Sequence, residues 1–190
     1  MPTERFWNVP NALTLGRLAL SFVVFALIAL RMPFAAFVVF AIAALTDAFD
    51  GYLARLLNQA TALGRQLDPL VDKVMVAGCY IYLLKIPEAE TGLAAWMVAA
   101  IVLRELIIQA VRSLIEGRGE AFGARWSGKS KTLFQCLSIT AILFCLSFPL
   151  PRYYSIARDV VTWLAVGLTL YSGAEYLALA RIKLRGDPHI

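Results

Sequence analysis

The chain has 190 residues, of which 60% are hydrophobic and 16% charged, with a net charge of +5 and a mean hydropathy of +0.70. Soluble domains hold only about 45–50% apolar residues, so this excess excludes one water-soluble core and points to a chain dissolved in lipid. The basic balance, which in a soluble protein would suggest nucleic acid, fits loops facing anionic lipid and anionic substrates, and no nucleic-acid partner is expected.

Residues 1–11 form a short amphipathic lead-in in which Phe6 and Trp7 precede Pro10, as suits an interfacial anchor. Six apolar stretches follow, at residues 12–30, 33–53, 69–86, 92–114, 131–150 and 159–182. A bilayer core of about 30 Å takes about 20 helical residues. Nothing alternates with the period of a barrel strand, so the predicted fold class is an all-α integral membrane protein with six transmembrane helices. The first run has no clear small-residue cleavage site and further spans follow it, so it reads as a helix and not a signal peptide. Turn chemistry marks the breaks at Arg31-Met32-Pro33, Pro87-Glu88, Gly117-Arg118-Gly119 and Pro149-Leu150-Pro151.

With the N-terminus inside, one face receives Arg5, Arg55, Arg65, Arg112, Arg118, Arg125, Lys129, Lys131, Arg181, Lys183 and Arg185. The other receives Arg31, Lys85, Arg152 and Arg158. This asymmetry places both termini in the cytoplasm. No internal repeat or low-complexity tract is visible, so one domain over residues 1–190 is expected. Cys79, Cys136 and Cys145 lie singly in apolar runs and, with one histidine in the chain, make no zinc site. They read as small core or lipid-facing residues, and His189 has no assigned role.

The segment from Asp47 to Lys73 carries the chemistry. Four of the six aspartates of the chain fall within it. Asp47 and Asp50 are three residues apart at the end of the second helix, and Asp68 and Asp72 four apart at the start of the third, so each pair shares a helical face. Pro69 suits a first helical position with Asp68 as its cap, although a kinked helix that starts earlier is also compatible. Consecutive helices with a short loop are antiparallel neighbours, so the two pairs can converge. Four clustered carboxylates repel one another near hydrocarbon unless protons or cations neutralise them. All-oxygen donors favour Mg2+ or Mn2+, and four aspartates can hold two ions of the kind that assist in-line displacement at phosphorus. The simpler alternative is a cluster of solvated acids at a loop end. Against it stand the neighbours Gly51, Arg55 and Gly64, which are suited to an anion.

The pattern Asp47-x2-Asp50-Gly51-x2-Ala54-Arg55-x8-Gly64-x3-Asp68-x3-Asp72 resembles, at every fixed position, that of the CDP-alcohol phosphatidyltransferase family. The opening Asn8-Val9-Pro10-Asn11-Ala12-Leu13-Thr14-Leu15-Gly16-Arg17 and the six-helix layout extend the resemblance over nearly the whole chain. It implies transfer of a phosphatidyl group from CDP-diacylglycerol to an alcohol, with release of CMP. On that resemblance Asp47, Asp50 and Asp68 bind metal, and Asp72 binds metal or takes the acceptor's proton. Gly51, Ala54, Arg55, Thr61, Gly64, Asn11 and Thr14 belong to the CDP-diacylglycerol pocket. Gly51 permits close backbone approach, and Arg55 can make charge-assisted bonds to phosphate. A bacterial-type inner membrane, an active site on its cytoplasmic side and a homodimer are implied in the same way.

The second half bears on the acceptor. Arg104 and Glu105 lie inside the fourth apolar stretch, with Arg112 two turns later, and Lys129 and Lys131 open the fifth. Fixed cations suggest an acceptor with its own phosphate; ordinary positive-inside decoration is the alternative, and it explains Arg104 poorly. A buried arginine needs a partner, and Glu105, adjacent in sequence, is expected on a different helical face. Arg104-Glu105-x6-Arg112 with Gly128-Lys129-x-Lys131-Thr132-x2-Gln135 resembles the branch of the family whose acceptor is sn-glycerol 3-phosphate. That resemblance makes Arg104, Arg112, Lys129 and Lys131 contacts of the acceptor phosphate. Relatives that use phosphatidylglycerol share parts of the pattern, and inositol phosphate or serine are further alternatives. Gly123-x4-Gly128-Lys129-Ser130 satisfies the P-loop expression, but no strand precedes it, so an ATPase reading is set aside. A cation transporter would place its acids near the bilayer midplane and not at one face.

Overall fold

A computed structural model describes the backbone of residues 9–57, 62–117 and 126–185, with side chains described for residues 14–46, 70–117, 128 and 130–182. Among the described residues all regular structure is helical: α1 (Val9–Ala29), α2 (Pro33–Leu57), α3 (Ala62–Leu83), the single turn α4 (Glu88–Thr91), α5 (Ala95–Glu116), α6 (Trp126–Ser147) and α7 (Arg152–Arg185). The six long helices correspond one to one with the six apolar stretches. Their ends differ by several residues, because helix-compatible polar residues prolong α2 and α7 beyond the apolar runs. Residues 1–8 of the interfacial segment lie outside the described residues, as do Thr61, Arg118 and Arg125.

The connection from α1 to α2 shows how the chain turns. Arg31 takes a left-handed conformation (φ 57°), while the amides of Arg31 and Met32 donate back to the carbonyls of Ile28 and Leu27 at 3.1 and 2.9 Å. These two bonds close α1 in a Schellman motif, and Pro33 then opens α2 with its φ already set. At the start of α3 the helix begins at Ala62, so Asp68 and Pro69 lie inside it. The reading of Asp68 as a cap gives way to the earlier start. Pro69 cannot donate to the carbonyl of residue 65, a local weakness in the helix beside the carboxylates.

The chain divides into two compact units, Met1–Thr91 with Ile139–Leu150, and Gly92–Ser138 with Pro151–Ile190. In the first, α1 packs against both α2 and α3. Its core repeats at three- and four-residue spacing: Val24 and Ile28 on α1, Ala36, Phe40 and Ala43 on α2, Met75, Cys79 and Leu83 on α3, all buried. Gly78 lets α1 approach α3, since a Cβ there would sit 2.1 Å from Cζ of Phe25. The Phe25 ring stacks on Tyr82 with centroids 5.2 Å apart.

In the second unit α5 packs on α7, where Ile108 and Ile115 form a buried cluster with Tyr176 and Ala180; Ile101 on α5 and Ala165 on α7 are buried as well. Gly92, in the left-handed region (φ +66°), leads into it. A Cβ there would collide with Oδ1 of Asp159 at 2.1 Å, so backbone and space both require glycine.

Ser130–Ser147 of α6 is long and apolar enough to cross a membrane; Thr14–Ala29 and Pro33–Thr46 are apolar but shorter. The other long helices carry charge within them, such as Asp72 and Lys73 on α3 or Arg104 and Glu105 on α5. Large apolar side chains nevertheless stand exposed along the helices, among them Phe22, Ile42, Leu106, Leu133, Trp163 and Leu170.

Candidate active site

In the first unit α1 carries a buried polar stripe. Thr14, Arg17 and Ser21, at spacings of three and four, are all less than 5% exposed. The Ser21 hydroxyl donates to the carbonyl of Arg17 at 2.9 Å, the turn N-terminal to it. From this stripe Arg17 Nη1 donates to Oδ1 of Asp72 on α3 at 2.6 Å. Arg17 is almost wholly buried, while Asp72 is one third exposed. The carboxylate is thus held from the α1 side by a charge-assisted bond while part of its surface stays exposed. A buried cation is tolerable only beside such a carboxylate.

Asp47 and Asp50 lie on α2 and Asp68 on α3, with Gly51, Ala54 and Arg55 further along α2 and Gly64 near the start of α3. Asn11 lies on α1 and Lys129 on α6. The side chains of all of these lie outside the described residues, so the helical register is what is fixed for them. In that register Asp47 and Asp50 share one face of α2, and Asp68 and Asp72 one face of α3. Among the described residues there is no cluster of three or more metal-ligating side chains, since Asp72 is the one member of the quartet whose side chain is described.

The second unit gathers charge of the opposite sign. Arg104, on α5, is 8% exposed. Its Nη1 donates to Glu105 Oε1 at 3.1 Å and its Nη2 to Ser172 Oγ on α7 at 3.0 Å. Glu105 also accepts from Lys131 Nζ on α6. The expectation that Glu105 cannot partner Arg104 is therefore corrected. Adjacent helical residues point about 100° apart, but two long side chains converge beyond the backbone cylinder. Arg112, two turns after Arg104, and Arg104 itself both lie against the ring of Tyr176, their guanidinium carbons 6.0 and 5.6 Å from its centroid.

Buried polar pairs continue this cluster along the helices. Gln135 donates to the hydroxyl of Thr169 at 2.9 Å, which donates to the carbonyl of Ala165 at 2.6 Å. Ser172 donates to the carbonyl of Thr169 at 3.1 Å, and Ser138 pairs with Thr162 at 2.8 Å. Gly173 leaves room for the arginine, since a Cβ there would stand 3.0 Å from Cγ of Arg104. Three cations and one carboxylate, largely shielded from solvent, make a site that favours an anion.

Of the residues singled out in the sequence, Arg104, Arg112 and Lys131 come together in the second unit, and Asp72 stands in the first with Thr14 on the neighbouring stripe. Arg17 and Glu105 stand within the sequence motifs without an assigned role, and Ser172 and Tyr176 lie outside them. The signal for Arg17 lies in the periodicity of α1: polar residues 14, 17 and 21 line one face of an otherwise apolar helix.

A profile of the CDP-alcohol phosphatidyltransferase family matches residues 7–171. A Bacillus subtilis protein named CDP-diacylglycerol–glycerol-3-phosphate 3-phosphatidyltransferase is 35% identical, over 90% of this chain and 94% of its own length. Proteins of the same name from Escherichia coli and Shigella flexneri are each 37% identical, over 94% of this chain and 97% of theirs. The carboxylate pattern, the six long helices and these similarities agree: the chain belongs to the CDP-alcohol phosphatidyltransferase family and is a phosphatidyltransferase of phospholipid synthesis.

Proposed function

We propose that the protein transfers the phosphatidyl group of CDP-diacylglycerol to sn-glycerol 3-phosphate, giving phosphatidylglycerophosphate and CMP. The observation that carries the choice of acceptor is the cluster of buried Arg104 and Lys131 with half-buried Arg112. A phosphate monoester brings about two negative charges at neutral pH, and three cations with one carboxylate leave a net +2 to meet them. Serine or inositol without a phosphate would leave that charge unanswered. The printed names of the Bacillus subtilis and Escherichia coli relatives support the same acceptor.

The donor set on α2 and α3 fits divalent metal: four carboxylates, with no thiolate or imidazole nearby in sequence, are a hard-oxygen set of the kind that holds Mg2+ or Mn2+. Asp47, Asp50, Asp68 and Asp72 would hold two such ions, which when bound would offset the charge of the diphosphate. Asn11, Thr14, Gly51, Ala54, Arg55, Thr61 and Gly64 bind CDP-diacylglycerol. Arg55 pairs with phosphate oxygens, and Gly51 allows the backbone close to them. Arg104, Arg112, Lys129 and Lys131 hold the phosphate of the acceptor. Asp72 accepts the proton of the acceptor hydroxyl as its oxygen bonds to the lipid-bearing phosphorus. The bond from that phosphorus to the oxygen of CMP breaks, and CMP leaves. Arg17, bonded to Oδ1, holds the carboxylate in place and favours its charged form.

In this reading the six long helices span a bacterial-type inner membrane with both termini and the active site on the cytoplasmic side. The positive-charge asymmetry and the exposed apolar side chains support this. The chain works as one catalytic domain, residues 1–190, in a homodimer. The test is CMP release by purified protein with CDP-diacylglycerol and each acceptor in turn. Stimulation by glycerol 3-phosphate and not by serine, inositol phosphate or phosphatidylglycerol is expected. Stimulation by another alcohol alone would overturn the acceptor.

A further inference from the structure

The second unit contains a contact that charge placement alone does not explain. Tyr176, 3% exposed, lies within cation–π range of two guanidinium groups, those of Arg104 and Arg112. The same ring belongs to an apolar cluster with Ile108, Ile115 and Ala180, with Val111 and Leu179 packed against it. On α5 residues 104, 108 and 112 recur every four, so the two arginines flank Ile108 on one stripe, and the tyrosine on α7 packs on that stripe. The ring is thus seated in hydrocarbon while the two arginines share it.

The arginines are held unequally. Arg104 is tied through both terminal nitrogens, to Glu105 and Ser172. Yet the Nε of Arg104 and that of Arg112 are both buried and make no hydrogen bond among the described residues. Buried donors without an acceptor are costly. Two of them, on cations that share one aromatic ring, mark a place where an anion completes the hydrogen bonding. Two guanidinium groups near one ring also repel each other, and attraction to its face opposes that repulsion.

We propose that Tyr176 is a positioning residue for acceptor recognition: its ring holds Arg104 and Arg112 ready so that both engage the acceptor's phosphate monoester. This rests on the reading of these cations as the acceptor site and adds a residue that works through them. The part that matters is the π-face, because seating the two cations needs no hydroxyl. The role is one of affinity for the acceptor. Capture of CDP-diacylglycerol and the displacement at phosphorus depend on other residues.

The experiment grades the ring without altering its shape. Tyr176→Phe is compared with protein carrying phenylalanines of one, two and three ring fluorines at position 176. Fluorination withdraws the negative face of the ring while the packing stays nearly unchanged. Tyr176→Phe should keep KM for glycerol 3-phosphate within about twofold of the unsubstituted protein. The fluorinated series should then raise it stepwise, to about tenfold at three fluorines, with kcat and KM for CDP-diacylglycerol moving less than twofold. A flat series in a protein that uses glycerol 3-phosphate overturns the role of the ring. So does a series in which both substrates' KM values rise together. A loss with Tyr176→Phe as large as with three fluorines assigns the role to the hydroxyl and likewise overturns it. Failure of the unsubstituted protein to respond to glycerol 3-phosphate is a separate outcome and would overturn the acceptor assignment itself.

Discussion

In the first unit α1 meets α3 where a phenylalanine ring fills the space left by Gly78. In the second, α5, α6 and α7 meet through hydroxyls, an amide and an ion cluster. The contrast has a physical reason. In the proposed membrane setting, apolar helix faces gain nothing by leaving acyl chains for one another, so association depends on close shape or on polar pairing. The first unit uses shape, and its polar residues on α1 gather near Asp72. The second uses polar pairing, and some of those polar groups are the cations assigned to substrate. Among the described residues, structure and binding meet in the first unit at the Arg17–Asp72 pair, whereas in the second they are entangled along α5, α6 and α7.

Among changes that bear on the contrast between the units, the largest expected effect probes that entanglement. Arg104→Met should raise KM for glycerol 3-phosphate by about a hundredfold, in the range of about 2–5 kcal/mol for losing one partner of a buried charged contact. Glu105 keeps Lys131, so no carboxylate is orphaned, and initial rates at varied acceptor and fixed CDP-diacylglycerol read the outcome. An unchanged acceptor KM would remove Arg104 from the site.

Gly78→Ala tests the shape-based unit next. The added methyl group meets the Phe25 ring and should cost about 1–3 kcal/mol through overpacking, seen as a lower unfolding midpoint in detergent. Phe25→Leu on the same chain should restore part of it, while the acceptor KM of the folded fraction stays the same. The smallest effect belongs to the polar ladder. Gln135→Leu and Thr169→Val, singly and together, should give a coupling energy of about 0.6 kcal/mol, as is usual for hydrogen bonds between membrane helices. A coupling near zero would mean that the second unit, too, is held by shape.

Much of this fold was legible in the sequence because each long helix announces itself as an apolar run. What escaped was where polar residues continue a helix. Arg55 and Leu57 remain helical beyond the apolar part of α2, and of the two starts open for α3 the earlier one holds, with Pro69 inside the helix, since one missing amide does not end a helix. The quartet of aspartates stood out because carboxylates are rare in such a chain. Arg17 did not, because treating residues 12–30 as one apolar run averages away the stripe at 14, 17 and 21. Glu105 was misjudged by helical angle alone, which neglects the reach of long side chains. Tyr176 looks in sequence like any aromatic core residue, and only the packing of α5 on α7 brings it against two arginines.

The central claim is that the carboxylates of α2 and α3 carry out the transfer, with Asp72 taking the proton. Asp72→Asn keeps an oxygen able to accept from Arg17 and removes the basic carboxylate. The decisive measurement is CMP release by this variant with CDP-diacylglycerol, glycerol 3-phosphate and Mg2+ or Mn2+, alongside its unfolding midpoint and its binding of CDP-diacylglycerol. Release should be abolished while fold and binding are largely preserved. Near-normal release would contradict the assignment of Asp72 as the base.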